Sequence, residues 1–208
     1  MAHILVLNSS VSGDASVSRL LVEDAVERLR EVHPDAIVTQ RDLGAEPPPH
    51  LVPSTVAGIR AVANTEAELG ARALSDKLIS EVFAADIIVI GCPMYNFSVP
   101  TGLRAWIDHV LRPRVTFAYG ESGVQGLVTG KRAIVIESRG GTYTEGPRAP
   151  MDFQEPYLRL LLGFIGITDV AFVHAENIGF GPEAREAAIA HAKSQIAIVA
   201  AQPLSADI

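Results

Sequence analysis

Short apolar runs alternate with helical periodicity along the whole chain. Ile4–Leu7, partly β-branched and followed by small polar residues, predicts a first strand. Val17, Leu21, Ala25, Leu29 and Val32 then recur at helical spacing, with Ser16 placed to cap that helix. Ala36–Leu43 predicts a second strand, and Pro47, Pro48, Pro49 and Pro53 predict an extended loop over Leu43–Pro53. Leu74, Leu78 and Val82 share one stripe of a helix over Glu66–Ala84, and Asp86–Cys92 reads as a third strand ending in a turn at Met94–Phe97. Pro100 opens the next helix, whose Leu103, Trp106, Ile107 and Val110 follow the i, i+3, i+4, i+7 rule for a buried face. Gly120–Gly126 predicts a surface loop, Ala133–Ser138 a fourth strand, and Tyr157–Ile165 an apolar helix. Asp169–Ala175 predicts a fifth strand and Pro182–Ala201 the last helix.

Strands alternating with helices describe βαβ units, a parallel sheet and right-handed crossovers. For five strands the expected order is 2-1-3-4-5, which gathers the loops after strands one, three and four at one sheet edge. At 208 residues with 48% hydrophobic content, the chain is expected to form one α/β domain over residues 1–208 with a sheet buried on both faces. Its net charge of −7 argues against nucleic acid and anionic membrane as partners, because phosphate-rich surfaces need a positive face. Cys92 is the sole cysteine, so no internal disulfide can form, and its place at the end of an apolar strand suits a small core residue. Met1-Ala2-His3-Ile4 lacks the basic start of a signal peptide, and no apolar run reaches the roughly 18–20 residues of a membrane span. A cytoplasmic location is the expectation.

Candidate chemistry concentrates in the three loops. Hydroxyls and free amides at a helix start form a natural phosphate site, and Ser9, Ser10, Ser16, Val17 and Ser18 surround the first helix start with no cation before Arg19. In Met94-Tyr95-Asn96-Phe97, Tyr95 and Phe97 can pack on a flat heteroaromatic ring and Asn96 can bond its edge. Gly140 and Gly141 in Ser138-Arg139-Gly140-Gly141 let the backbone approach such a ring closely, with N–H groups facing its electron-rich side. Each loop alone also reads as an ordinary turn. Together at one edge, they point to a bound flavin nucleotide.

These segments, with Gly126-Leu127-Val128-Thr129-Gly130-Lys131 and Leu162-Gly163-Phe164-Ile165-Gly166-Ile167-Thr168-Asp169-Val170, resemble the FMN-dependent NADH:azoreductases over nearly the whole chain. The resemblance implies a flavodoxin-like fold and a homodimer with two active sites at its interface. It further implies that Ser10 and Ser16–Ser18 hold the FMN phosphate, Val17 through its backbone alone. Met94, Tyr95, Asn96 and Phe97 would line the ring and ribityl chain, and Ser138, Arg139, Gly140 and Gly141 the pyrimidine side. Tyr119 and Phe164 would roof the substrate pocket, partly from the other subunit; otherwise they complete the core. NADH or NADPH would supply hydride and quinones or azo compounds would accept it, in ping-pong order, with FMN rather than a side chain carrying the chemistry. Tyr143 stands where some relatives carry histidine, and the Pro47–Ala63 region is unlike theirs.

Rival classes find less support. A flavodoxin-type electron carrier would leave the ring unroofed. The chain has no Gly-x-Ser-x-Gly elbow and no His-Glu-x-x-His pair. His174-Ala175-Glu176 lacks the paired cysteines of a zinc deaminase, and no metal centre is expected.

Overall fold

The computed structural model describes residues 1–121 and 123–203. Five parallel strands form the central sheet: β1 (His3–Asn8), β2 (Ile37–Asp42), β3 (Ile87–Pro93), β6 (Arg132–Ser138) and β7 (Asp169–Ala175). β4 (Phe117–Gly120) and β5 (Gly123–Gly126) form a separate antiparallel pair. The sheet order is therefore β2-β1-β3-β6-β7. The expected label 2-1-3-4-5 does not apply as written, because β4 and β5 precede the last two sheet strands.

Side chains alternate across a strand, and the two sheet faces collect different residues. Leu5, Leu7, Ile88, Ile90, Ala133 and Val135 pack under α3 (Glu66–Ala84), α4 (Thr101–Val110) and α5 (Glu155–Ile165). Ile4, Val6, Ile87, Val89, Ile134 and Ile136 pack under α1 (Val17–Val32) and α6 (Pro182–Ala200). β3 and β6 are buried along their entire length, as central strands covered on both faces must be.

Two sequence expectations fail. Gly120–Gly126 is not a plain surface loop: Phe117 pairs with Gly126 and Tyr119 with Val124, while Ser122 lies outside the described residues. Glycine and alanine mask the strand pattern there. Gly126 is required by packing, since a Cβ on it would lie 2.2 Å from the Gly166 amide nitrogen. The Pro47–Ala63 stretch, expected as loop, also contains a helix, α2 (Pro53–Arg60), started by Pro53 at its first position. It is too short and too rich in small residues to show a periodic stripe. Gly58 lets it close on α3, where a Cβ would stand 2.4 Å from the Glu68 carbonyl oxygen.

The exit of β2 presses directly on the loop after β1. The Leu43 and Gly44 amides donate to the Asn8 carbonyl at 2.7 and 3.3 Å, and a Cβ on Gly44 would stand 2.0 Å from the Ser10 carbonyl oxygen. Among the described residues, no helix is long and apolar enough to cross a membrane. Gly44→Ala must push the backbone at Ser10 aside, so urea unfolding is expected to show a loss of roughly 1–3 kcal/mol. An unchanged midpoint would show that this contact is loose.

Candidate functional site

Parallel pairing sets the carboxyl ends of β1, β3, β6 and β7 side by side: Asn8 faces Gly91, Pro93 faces Ser138, and Ser138 faces Ala175. The chain leaves β1, β3 and β6 into the three predicted loops. Hydrogen bonds then join those loops to one another. The Ser9 hydroxyl and amide both donate to the Gly91 carbonyl, at 2.6 and 3.1 Å. Ser10 Oγ and the Tyr95 hydroxyl lie 3.3 Å apart, and the Val11 amide donates to the same hydroxyl at 3.3 Å. The Met94 amide donates to the Ser138 carbonyl at 2.9 Å. First, second and third loop thus form one continuous edge.

In the first loop, Ser16 caps α1 by accepting from the Arg19 amide at 3.2 Å, and its hydroxyl lies 3.1 Å from that of Ser18. Ser10, Ser16, Val17 and Ser18 are all buried. The amides of the first helical turn have no carbonyl of their own helix to bond. The nearby cation is already engaged: Arg19 pairs with Asp42 at 2.5 Å. The polar groups left at this helix start are neutral hydroxyls and amides.

The second loop is strained. Tyr95 and Ser98 exchange backbone hydrogen bonds of 3.0 and 3.1 Å, with Asn96 (φ 48°) and Phe97 (φ 70°) between them. Both central residues in the left-handed region make a type I′ turn, where Asn-Gly is the usual pair. A phenylalanine held there costs about 1–3 kcal/mol, a cost that clusters at binding sites. Its ring meets that of Tyr143 edge-on, with centroids 6.2 Å apart. Asn96 and Phe97 are exposed, Met94 and Tyr95 half-buried.

The third loop departs from expectation at Arg139. Its side chain is fully buried and points away from the exposed edge, into an ion cluster. Nη2 bonds Glu137 at 2.5 Å and Asp152 at 2.9 Å, Nη1 bonds Glu176 at 3.2 Å, and Nε donates to Gln154 at 3.1 Å. Its amide and carbonyl are also used, by Ala175 and Ile178. Gly140 is the exposed residue of this turn. A Cβ on Gly140 would meet nothing within 4 Å, and its φ is not positive, so nothing in the fold requires glycine there. Gly141 is buried, against Tyr143 and the Arg148 guanidinium.

His174 joins the same cluster, with Nε2 3.2 Å from Glu137 and 2.9 Å from Glu155. Burial works to lower the imidazole pKa, but the hydrogen bond and charge of Glu137, with the Glu155 bond, outweigh it and hold His174 above its ordinary value. Burial pushes Glu137 up, opposed by His174 and Arg139. Glu137, Glu155 and His174 bring side-chain N and O atoms within 4.8 Å of one another. The imidazole's separations from the two carboxylates are those of hydrogen bonds, and Arg139 bonds the same Glu137 carboxylate.

Tyr119 and Phe164 converge on Phe117, at ring-centroid distances of 5.6 and 4.7 Å. Phe164 is half-buried against the core, whereas Tyr119 is 75% exposed on β4. Sequence reasoning missed Glu137, Asp152, Gln154 and Glu176. The available signal was an acid inside the apolar run Ala133–Ser138 beside Arg139, since buried charges require partners.

Comparisons with known proteins bear on the family and the fold. The model of a family described as having a flavodoxin-like fold matches residues 2–199. A curated protein of Hyphomonas neptunium named FMN-dependent NADH:quinone oxidoreductase is 58% identical over 200 residues, covering 96% of each chain. One of the same name from Ralstonia nicotianae is 47% identical, over 98% of this chain and 100% of that one. An azoreductase structure from Bacillus anthracis superposes with a TM-score of 0.87 at 29% identity, over 96% of this chain and 99% of that one.

A raised folded-state pKa makes the imidazolium's stabilisation fully present below about 6.5, the unfolded value, and lost as pH rises through the higher folded value. Urea stability of the native protein is therefore expected to fall relative to His174→Gln as pH rises above about 6.5, the ordinary imidazole value. Parallel stability profiles for the two proteins would contradict the assigned charge.

Proposed function

This chain belongs to the flavodoxin-like family of FMN-dependent NADH:quinone oxidoreductases, and from that premise we propose that it binds FMN at the three-loop edge and uses NADH to reduce quinones. The observation that carries the reading is the continuity of that edge, from the serine cradle through Tyr95 to Ser138.

The residues present fit the cofactor. Ser10, Ser16 and Ser18, with the first amides of α1, offer a phosphate monoester neutral donors and the positive end of a helix dipole. The Asn96 side chain is exposed and free to bond a ring edge. Phe97 and Tyr95 supply aromatic surface, and the open space at Gly140 is where a flat ring can lie against the backbone. Bound FMN supplies hydride acceptance and donation, chemistry no side chain here performs. The protein's part is to grip the phosphate, hold the ring and present amides to its pyrimidine side. In that last task Arg139 acts from below, not by touching the ring.

A single slot over the ring would serve donor and acceptor in turn, which makes the kinetics ping-pong and admits flat azo compounds beside quinones. The exposed Tyr119, Phe153 and Phe97 support a homodimer in which a second copy covers the slot. The net charge of −7 supports small-molecule partners rather than nucleic acid, and a cytoplasmic site of action follows from the nicotinamide donor.

Anaerobic NADH added to the FMN-loaded protein is expected to bleach the flavin absorbance, and a quinone pulse to restore it. No bleaching would contradict the reading. Initial rates at several quinone concentrations should give parallel double-reciprocal lines; intersecting lines would mean that both substrates bind together. Gly140→Ala is expected to leave urea stability within about 0.5 kcal/mol, or to raise it, while weakening FMN binding at least tenfold. Asn96→Ala should weaken FMN binding by about 1–3 kcal/mol. Unaltered FMN affinity in both variants would move the ring elsewhere.

A further inference from the structure

A buried arginine is a poor way to stabilise a fold. Removing the guanidinium from water costs several kcal/mol, and well-packed apolar replacements of buried ion pairs are often at least as stable. Such a group is better explained by the geometry it imposes. Arg139 stands next to Ser138, at the end of a strand whose Ile134 and Ile136 are apolar, and its fork engages four different side chains.

The partners lead to both lips of the proposed flavin edge. Glu176 Oε1, held by Arg139 Nη1, also accepts from the Tyr143 and Thr144 amides at 2.7 and 3.0 Å, and Oε2 accepts from the Thr144 hydroxyl at 2.8 Å. That carboxylate closes the Gly140–Thr144 turn from beneath. Gln154, bonded to Arg139 Nε, donates to the Cys92 carbonyl at 2.8 Å, with Pro93 and Met94 between that residue and the Tyr95–Ser98 turn. Asp152, the third acid, receives the Gln154 amide at 2.8 Å, and its neighbour Phe153 donates its amide to the Phe97 carbonyl at 3.0 Å. One planar group therefore spans the ends of β3, β6 and β7 and the start of α5.

We infer that Arg139 is a positioning residue: its guanidinium, through Glu176 on one side and Gln154 on the other, sets the height of the Gly140–Thr144 turn against the Tyr95–Phe97 turn. The inference rests on the flavin reading for its purpose, though not for its geometry. Hydrogen-bond donors aimed at a ring edge lose strength within a few tenths of an ångström and a few tens of degrees, so the relative height of the two lips controls how well the turn's amides meet the ring. Lysine cannot replace the fork, because an ammonium is a point charge and cannot hold four partners in one plane.

The test uses Arg139→Lys, which keeps the charge, and Glu176→Gln, which keeps the shape and leaves the arginine in place. Amide hydrogen exchange is followed in the flavin-free protein. FMN affinity and the midpoint potential of the bound flavin are followed in the loaded one. Both variants are expected to exchange the Tyr143 and Thr144 amides at least tenfold faster and to bind FMN at least tenfold more weakly. The potential should become more negative, by about 30 mV for a tenfold preferential loss of reduced-form affinity. A lowered melting temperature with exchange and FMN affinity within twofold of the parent and the potential within about 10 mV of it would reduce Arg139 to a stabilising residue and overturn the inference. A parent protein that binds no FMN would sink the flavin reading instead, and the exchange rates in the unloaded variants would still decide whether the arginine holds the turn.

Discussion

Parallel strands that start together must also end together. In this protein the registers of β1 with β3, β3 with β6, and β6 with β7 run without a bulge to Asn8, Pro93, Ser138 and Ala175. The loops that follow therefore emerge within hydrogen-bonding distance of one another. The Ser9 bonds to Gly91, the Tyr95 contact to Ser10 and the Met94 bond to Ser138 are consequences of that alignment. Burial enforces it: β3 and β6 are covered on both faces, so a slip of one residue would turn each apolar set toward the wrong helices. The site is precise because the sheet beneath it cannot slide.

The edge then divides its work between neutral and charged groups. Where an anion is expected, the donors are serine hydroxyls and helix amides, and Arg19 is already committed to Asp42. Where an uncharged ring is expected, the surface is aromatic side chains and bare glycine backbone. Formal charge is kept below the surface, around Arg139. The costs of the arrangement, a phenylalanine at φ 70° and a fully buried guanidinium, both fall at this one edge.

Much of this was legible in the residues because it is written in local patterns. The five sheet strands announce themselves as β-branched runs, the main helices as stripes such as Leu103, Trp106, Ile107 and Val110, and the three loops as breaks after strands. What escaped was non-local. α2 hides among prolines and small residues and is held by Gly58 against α3. The β4–β5 pair depends on Gly126 meeting Gly166, forty residues on. Arg139 reads as one of the ring-lining residues of its turn until Glu137, Asp152 and Glu176 are seen to converge on it from three elements. No spacing rule reports that convergence, although a glutamate inside an apolar strand hints that a cation must come to it.

The central claim is that one ligand touches all three loops at once. Amide chemical-shift mapping of the isotope-labelled protein during an FMN titration tests it most directly. The account predicts that the largest shifts fall together on Ser10 and Ser16–Ser18, on Tyr95–Phe97 and on Gly140–Gly141, all with a single dissociation constant. Shifts concentrated instead around the cavity lined by His174, Asn177 and His191, with the serine and glycine loops unmoved, would contradict it.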